Sequence, residues 1–138
     1  MREEDFLTEF NREFRKMYEV YNRAVSEHKY DEAIRIGEEM LEELLKVVKE
    51  RVFSKFTNPV TKEVVRGIIE YHERSLAYIR GVKEATTDIP TLYSFEAKER
   101  ALEAISKNVQ ELFSFTLGAL LALTEASVRE RPKGHEIV

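Results

Sequence analysis

The sequence predicts an all-α protein: an antiparallel, up-down-up-down four-helix bundle with a long fourth helix. Three observations predict it. Apolar residues recur at steps of three and four through four separate stretches, the period of a helix with one buried face. Short breaks part the stretches, and short connections make sequential helices antiparallel neighbours. The chain is 43% apolar and 35% charged, a balance that suits a globular domain and not a disordered one. Its 138 residues fit a single domain. That domain is expected over 1–131, with 132–138 as a flexible C-terminal tail after Pro132.

The first helix is expected over about Glu3 to Ser26. Phe6, Leu7, Phe10, Phe14, Met17, Tyr18, Tyr21 and Val25 fall along one stripe, with the three phenylalanines stacked, and this reads as bundle core. His28-Lys29-Tyr30 breaks the pattern, and Asp31 is the expected N-cap of the second helix. That helix is expected to reach about Lys55 through Ile34, Met40, Leu41, Leu44, Leu45, Val48 and Val52. Its glutamates Glu38, Glu39, Glu42 and Glu43 read as a solvated face, because no Glu-x-x-His element of a di-metal bundle accompanies them. Thr57-Asn58-Pro59 ends it. The third helix, to about Ala85, carries Val64, Val65, Ile68, Ile69, His72, Leu76, Ile79 and Val82 on its apolar stripe. After Thr86-Thr87-Asp88-Ile89-Pro90, residues Leu92 to about Arg131 read as one helix, long enough to overhang the bundle or to bend.

Composition excludes several functions. The tally of 22 basic against 26 acidic residues, mixed along every segment, speaks against a dedicated nucleic-acid binder. There is no cysteine, hence no disulfide, thiolate nucleophile or thiolate metal site. No glycine-rich phosphate loop, serine elbow or paired-histidine motif occurs, so no cofactor and no enzyme activity is expected. The acidic start Met1-Arg2-Glu3-Glu4-Asp5 does not look like a secretory signal, and a cytoplasmic location is expected. A single glutamine, Gln110, with abundant Glu, Lys and Arg, is the bias of hyperthermophile proteins.

Tyr21, Ala24 and Tyr30-Asp31-Glu32-Ala33-Ile34 resemble the turn of a tetratricopeptide hairpin, where small residues let two helices pack closely. No second copy follows, and a solenoid needs about three repeats, so this reads as a plain hairpin. Arg66 and His72 resemble the Arg-x(4–6)-His element of HEPN-type helical ribonucleases, which implies action at a scissile phosphate. The same spacing also joins Arg23 to His28 and Arg129 to His135, so the pattern selects no histidine. His72 otherwise reads as a hydrogen-bonded residue in a helix seam. The bundle is similar in architecture to focal-adhesion-targeting modules. In size, composition and lack of a family motif, the chain resembles small orphan helical proteins of viruses infecting hyperthermophilic archaea. That resemblance implies an interaction protein in the host cytoplasm.

The fourth helix carries the most informative stretch, Leu112 to Leu123, which contains no charged residue. It is shorter than the roughly 20 apolar residues that span a bilayer. With Thr116 at the centre of the inward face, Ala101, Leu102, Ile105, Val109, Leu112, Leu120 and Leu123 follow the core line. A second face begins polar, with Glu99, Glu103, Ser106 and Gln110, then turns apolar at Phe113, Leu117, Leu121 and Val128. Ser114 and Gly118, small residues at i and i+4, lie farther round. A face that switches in this way has gained a neighbour. The expected interface is therefore Phe113, Ser114, Leu117, Gly118, Leu121 and Val128, and the expected partner is a second copy of the chain, with another protein as the alternative occupant. A HEPN-like nuclease, or a nucleotidyltransferase partner, using Arg66 and His72 is the alternative.

Overall fold

The computed structural model describes residues 2–86 and 88–130, with side chains described for all of these except residues 3, 91 and 127–130. It is an antiparallel four-helix bundle: α1 Glu3–Ser26, α2 Tyr30–Val47, α3 Pro59–Ala85 and α4 Thr91–Glu130. No strand occurs among the described residues. The expected tail 132–138 lies outside the described residues.

Each junction has a local cause. His28 has φ 59°, the left-handed conformation, and follows α1 as its C′ residue. The His28 amide then donates to the Val25 carbonyl (3.0 Å) and the Lys29 amide to the Ala24 carbonyl (2.8 Å). These are the two bonds of a Schellman close, and they turn the chain within three residues. The second helix starts one residue before the expected N-cap. Lys29 holds the cap position without a side-chain bond, and Asp31 sits in the first turn. There Asp31 favours the positive helix end and pairs with Lys98 of α4 at 2.9 Å. Asn58 both stops the preceding segment and starts α3. Its Oδ1 accepts from the amides of Val60 (2.8 Å) and Thr61 (3.2 Å), with Pro59 in the first turn, where a missing amide costs nothing.

The second helical stretch does not continue as an α-helix to Lys55. It is α-helical to Val47, widens into a π turn over Val48–Val52 and tightens to a 3-10 turn over Phe53–Lys55. Val48 and Val52 are fully buried across the widened turn, while Lys49 and Glu50 face outward. Turns of this kind are short and mark a change of side-chain register.

The core is built on α2 and α4, which pack on one another along the middle of the bundle, with α1 and α3 flanking the pair on opposite sides. Small residues permit this. Ala33 and Ala101 are fully buried, and a Cβ on Gly37 would lie 2.6 Å from Ile105 Cγ2 and 2.7 Å from its Cδ1. Met40, Leu41 and Leu44 of α2, Ile79 of α3, and Leu112 and Leu120 of α4 are buried in the same core. The first helix is pinned to α4 by Tyr21, whose hydroxyl donates to the Leu102 carbonyl (3.1 Å) and lies 3.0 Å from Ser106 Oγ. Burial pushes the Tyr21 phenol up from its ordinary value, so the group stays a donor. On α3, Val65, Ile69, His72, Leu76 and Ile79 face inward as expected. Val64 does not: it is 59% exposed, because of two adjacent valines only one can lie on the inward line.

The Gly37 contact makes a measurable prediction. Alanine is the better helix former by up to about 1 kcal/mol, but its methyl must displace a fully buried isoleucine in a close-packed seam. Gly37→Ala should therefore lower stability by roughly 1–2 kcal/mol in urea unfolding, and the double variant with Ile105→Ala should not suffer the same clash. A Gly37→Ala protein more stable than the parent would show that α2 and α4 are not held this closely.

Candidate interaction surface

The fourth helix is continuous for 40 residues, about 60 Å. Ala101, Leu102, Ile105, Val109, Leu112, Thr116 and Leu120 are buried in the order read from the sequence, and Leu123 is half-buried. Its two buried threonines are satisfied on the helix itself. Thr116 Oγ1 donates to the Leu112 carbonyl (2.6 Å) and Thr124 Oγ1 to the Leu120 carbonyl (2.8 Å). A hydroxyl bonded to its own i−4 carbonyl is a tolerable core occupant.

The structure divides the six expected interface residues. Phe113 has a neighbour inside the fold: its ring stacks on Phe14 at 4.4 Å and tilts against Phe10 at 5.9 Å. Offset aromatic pairs of this kind add to plain area burial. At this position α1 accounts for the switch from polar to apolar. Leu117 is half-buried against the core. Ser114, Gly118 and Leu121 are exposed, Leu121 by 50%. A Cβ on Gly118 would meet nothing within 4 Å. The side chain of Val128 lies outside the described ones. What remains on the outside is an uncharged strip, Ser114, Gly118, Leu121 and Ala122, bordered by a groove of about 410 Å³. Phe14, Tyr18, Gln110 and Phe113 line that groove, and the Gln110 amide donates to the Tyr18 hydroxyl across it at 3.2 Å.

Arg66 and His72 occupy different environments. Arg66 is exposed on α3, pairs with Glu63 of its own helix, and lies 5.5 Å from the Phe53 ring. His72 is buried, with its ring edge-on to Tyr71 at 5.0 Å. Burial lowers the His72 pKa below its ordinary value; Asn108 beside it and the charge of Glu111 work in the opposite direction. Asn108 donates from Nδ2 to the Ala104 carbonyl (2.7 Å). His72 Nδ1 and Asn108 Oδ1 stay without a completed hydrogen bond, although the two residues adjoin.

One exposed apolar face was not read from the sequence. Val60, Val64, Tyr71 and Tyr78 lie outward on α3, with Gly67 open between them and Gly81 open just beyond Tyr78. Their spacing of 4, 7 and 7 residues was the available signal, hidden because Val64 adjoins the true core residue Val65. No helix among the described residues is long and apolar enough to cross a membrane.

No protein-family model, no curated protein and no solved structure matches this chain.

His72 supplies a pH prediction. Its folded-state pKa is depressed, so the unfolded chain binds the proton more readily. The stabilisation is complete above the unfolded value near 6.5 and is lost as pH falls below it toward the folded value. Thermal melts from pH 7.5 to 5 should show a decline that His72→Leu reduces while keeping the fold. Identical pH profiles for parent and variant would exclude this role.

Proposed function

We propose that this chain is a non-catalytic protein–protein interaction module that pairs with a second copy of itself through the outer strip of α4. One observation carries the reading. Between Leu112 and Thr124 the helix bears no charge, and after α1 has covered Phe113 the residues left outside are Ser114, Gly118, Leu121 and Ala122. A bundle helix with only water on its outer side carries charged residues there, as α4 itself does at Glu111 and Lys107, one and two turns earlier. Gly118 leaves room for a second helix to approach closely, and Leu121 supplies an apolar contact beside it. Covering such a strip also removes a liability to nonspecific association.

The test uses the exposed residues, because Leu117 packs against the core and a charge there would damage the fold. The parent should be a dimer at micromolar concentration by light scattering after size exclusion. Ser114→Glu/Leu121→Glu should be a monomer with unchanged far-ultraviolet circular dichroism, since two carboxylates facing their symmetry mates would be costly in a dry contact. A monomeric parent, or a double variant that still dimerises, would remove this surface from consideration.

A further inference from the structure

The third helix carries two lines of residues at helical-seam spacing, and the fold covers one of them. Val65, Ile69, His72, Leu76 and Ile79 form the buried line. On the opposite side Val60, Val64, Gly67, Tyr71, Arg74, Tyr78, Gly81 and Ala85 follow alternating steps of four and three, and all are exposed. Steps that alternate in this way over three heptads place residues along the contact with a facing helix. Apart from Arg74 the exposed line is uncharged. A Cβ on Gly67 or on Gly81 would meet nothing within 4 Å, so both glycines leave hollows in it.

The order of large and small residues decides what fits. An antiparallel copy of α3, turned about a two-fold axis between positions 72 and 73, sets Val60 against Ala85, Val64 against Gly81 and Tyr78 against Gly67. Each pair recurs in reverse, as a two-fold contact requires. Tyr71 then meets Arg74, and a guanidinium favours the face of an aromatic ring. A slip of one heptad in one direction opposes Val60 to Tyr78 and Val64 to Arg74. The slip in the other direction leaves Val60 and Val64 beyond the end of the facing helix. A parallel copy would set Arg74 against Arg74.

Charge points the same way. Glu70 and Arg74 are exposed and make no ion pair among the described residues. In the antiparallel arrangement Arg74 comes beside Glu70 of the second copy, on both sides of the axis. At the outer edges Glu63 comes opposite Glu84, and Arg66, already paired with Glu63, offsets part of that repulsion. We propose that a second copy of the chain packs its α3 antiparallel on this line, with Tyr78 over Gly67 and Tyr71 on Arg74. A charge in the middle of a seam fixes register at a cost in stability. This contact therefore forms at higher protein concentration than the α4 pairing and joins α4 pairs to one another; it stands whether or not α4 pairs.

The chain has no cysteine, so introduced thiols report the register. Val64→Cys/Gly81→Cys, both at exposed positions, is oxidised at submillimolar concentration. Within one chain the two positions stand about 25 Å apart on one helix and cannot join. Non-reducing electrophoresis should show a linked dimer, and peptide mapping should show position 64 joined to position 81. Val60→Cys/Gly81→Cys, out of register, should give several-fold less. Arg74→Glu added to the first pair should cut the yield several-fold, and Glu70→Arg added to that should restore most of it. The link should persist when Ser114→Glu/Leu121→Glu is present, so this test and that of the α4 strip fail separately. Absence of a linked dimer, equal yields from the two cysteine pairs, or position 64 joined to position 64 overturns the proposal. So does a yield indifferent to Arg74→Glu, or one lost with Ser114→Glu/Leu121→Glu.

Discussion

The rest of the bundle depends on the contact between Gly37 of α2 and Ile105 of α4. With no side chain at position 37, the isoleucine fills the space a Cβ would take, and the two helix axes are drawn together. In an evenly spaced four-helix bundle each helix touches the two beside it in the ring and stands off from the one diagonally opposite. Here α2 and α4, which are not sequence neighbours, form the closest layer, helped by Ala33 and Ala101. The other two helices then lie in the grooves on either side. Both flanking helices meet α4 as well as α2, which explains why the apolar surface of α4 wraps so far round.

Much of this was legible from the sequence, for a physical reason. Helical period marks a buried line wherever large residues repeat, and the inward stripe of α4 from Ala101 to Leu120 matches that line. The breaks were legible because Asn58-Pro59 and His28-Lys29 act through local sterics and hydrogen bonds. Period on one helix does not reveal which helix lies opposite. Phe113 therefore read as an outward contact, although its partners are Phe10 and Phe14, about a hundred residues away in the chain. Gly37 carried no visible signal, because a glycine between glutamates and apolar residues could equally be a weak point in a helix. The π turn was also illegible, since Val48 and Val52 suit an α-helical stripe equally well.

The surfaces of the bundle differ in chemistry. The α4 strip is uncharged and built from small residues around Leu121. The α1–α2 groove is lined by phenylalanines, four glutamates and Arg51. Between α2 and α3 the pattern is different again. Lys49 with Glu73, Arg80 with Glu42 and Lys83 with Glu38 cross that seam, and its cations and anions neutralise one another. Of the α2 glutamates, Glu38 and Glu42 are paired across to α3 and Glu39 to Arg35 on its own helix, whereas Glu43, facing α1, makes no ion pair among the described residues.

The flanking positions of α1 and α3 bear on how the molecule opens. A helix that touches only the central pair can detach as a unit while the remaining three keep a shared interior. Releasing α1 breaks the two Tyr21 hydrogen bonds and uncovers Phe10, Phe14 and Phe113, but leaves Gly37 against Ile105 undisturbed. Amide protection should therefore be graded across the bundle, with the middle of α2 and α4 exchanging only through global unfolding and the outer helices through cheaper partial opening. Such graded protection makes α1, which lines the grooves against α2 and against α4, an element whose opening would dismantle both.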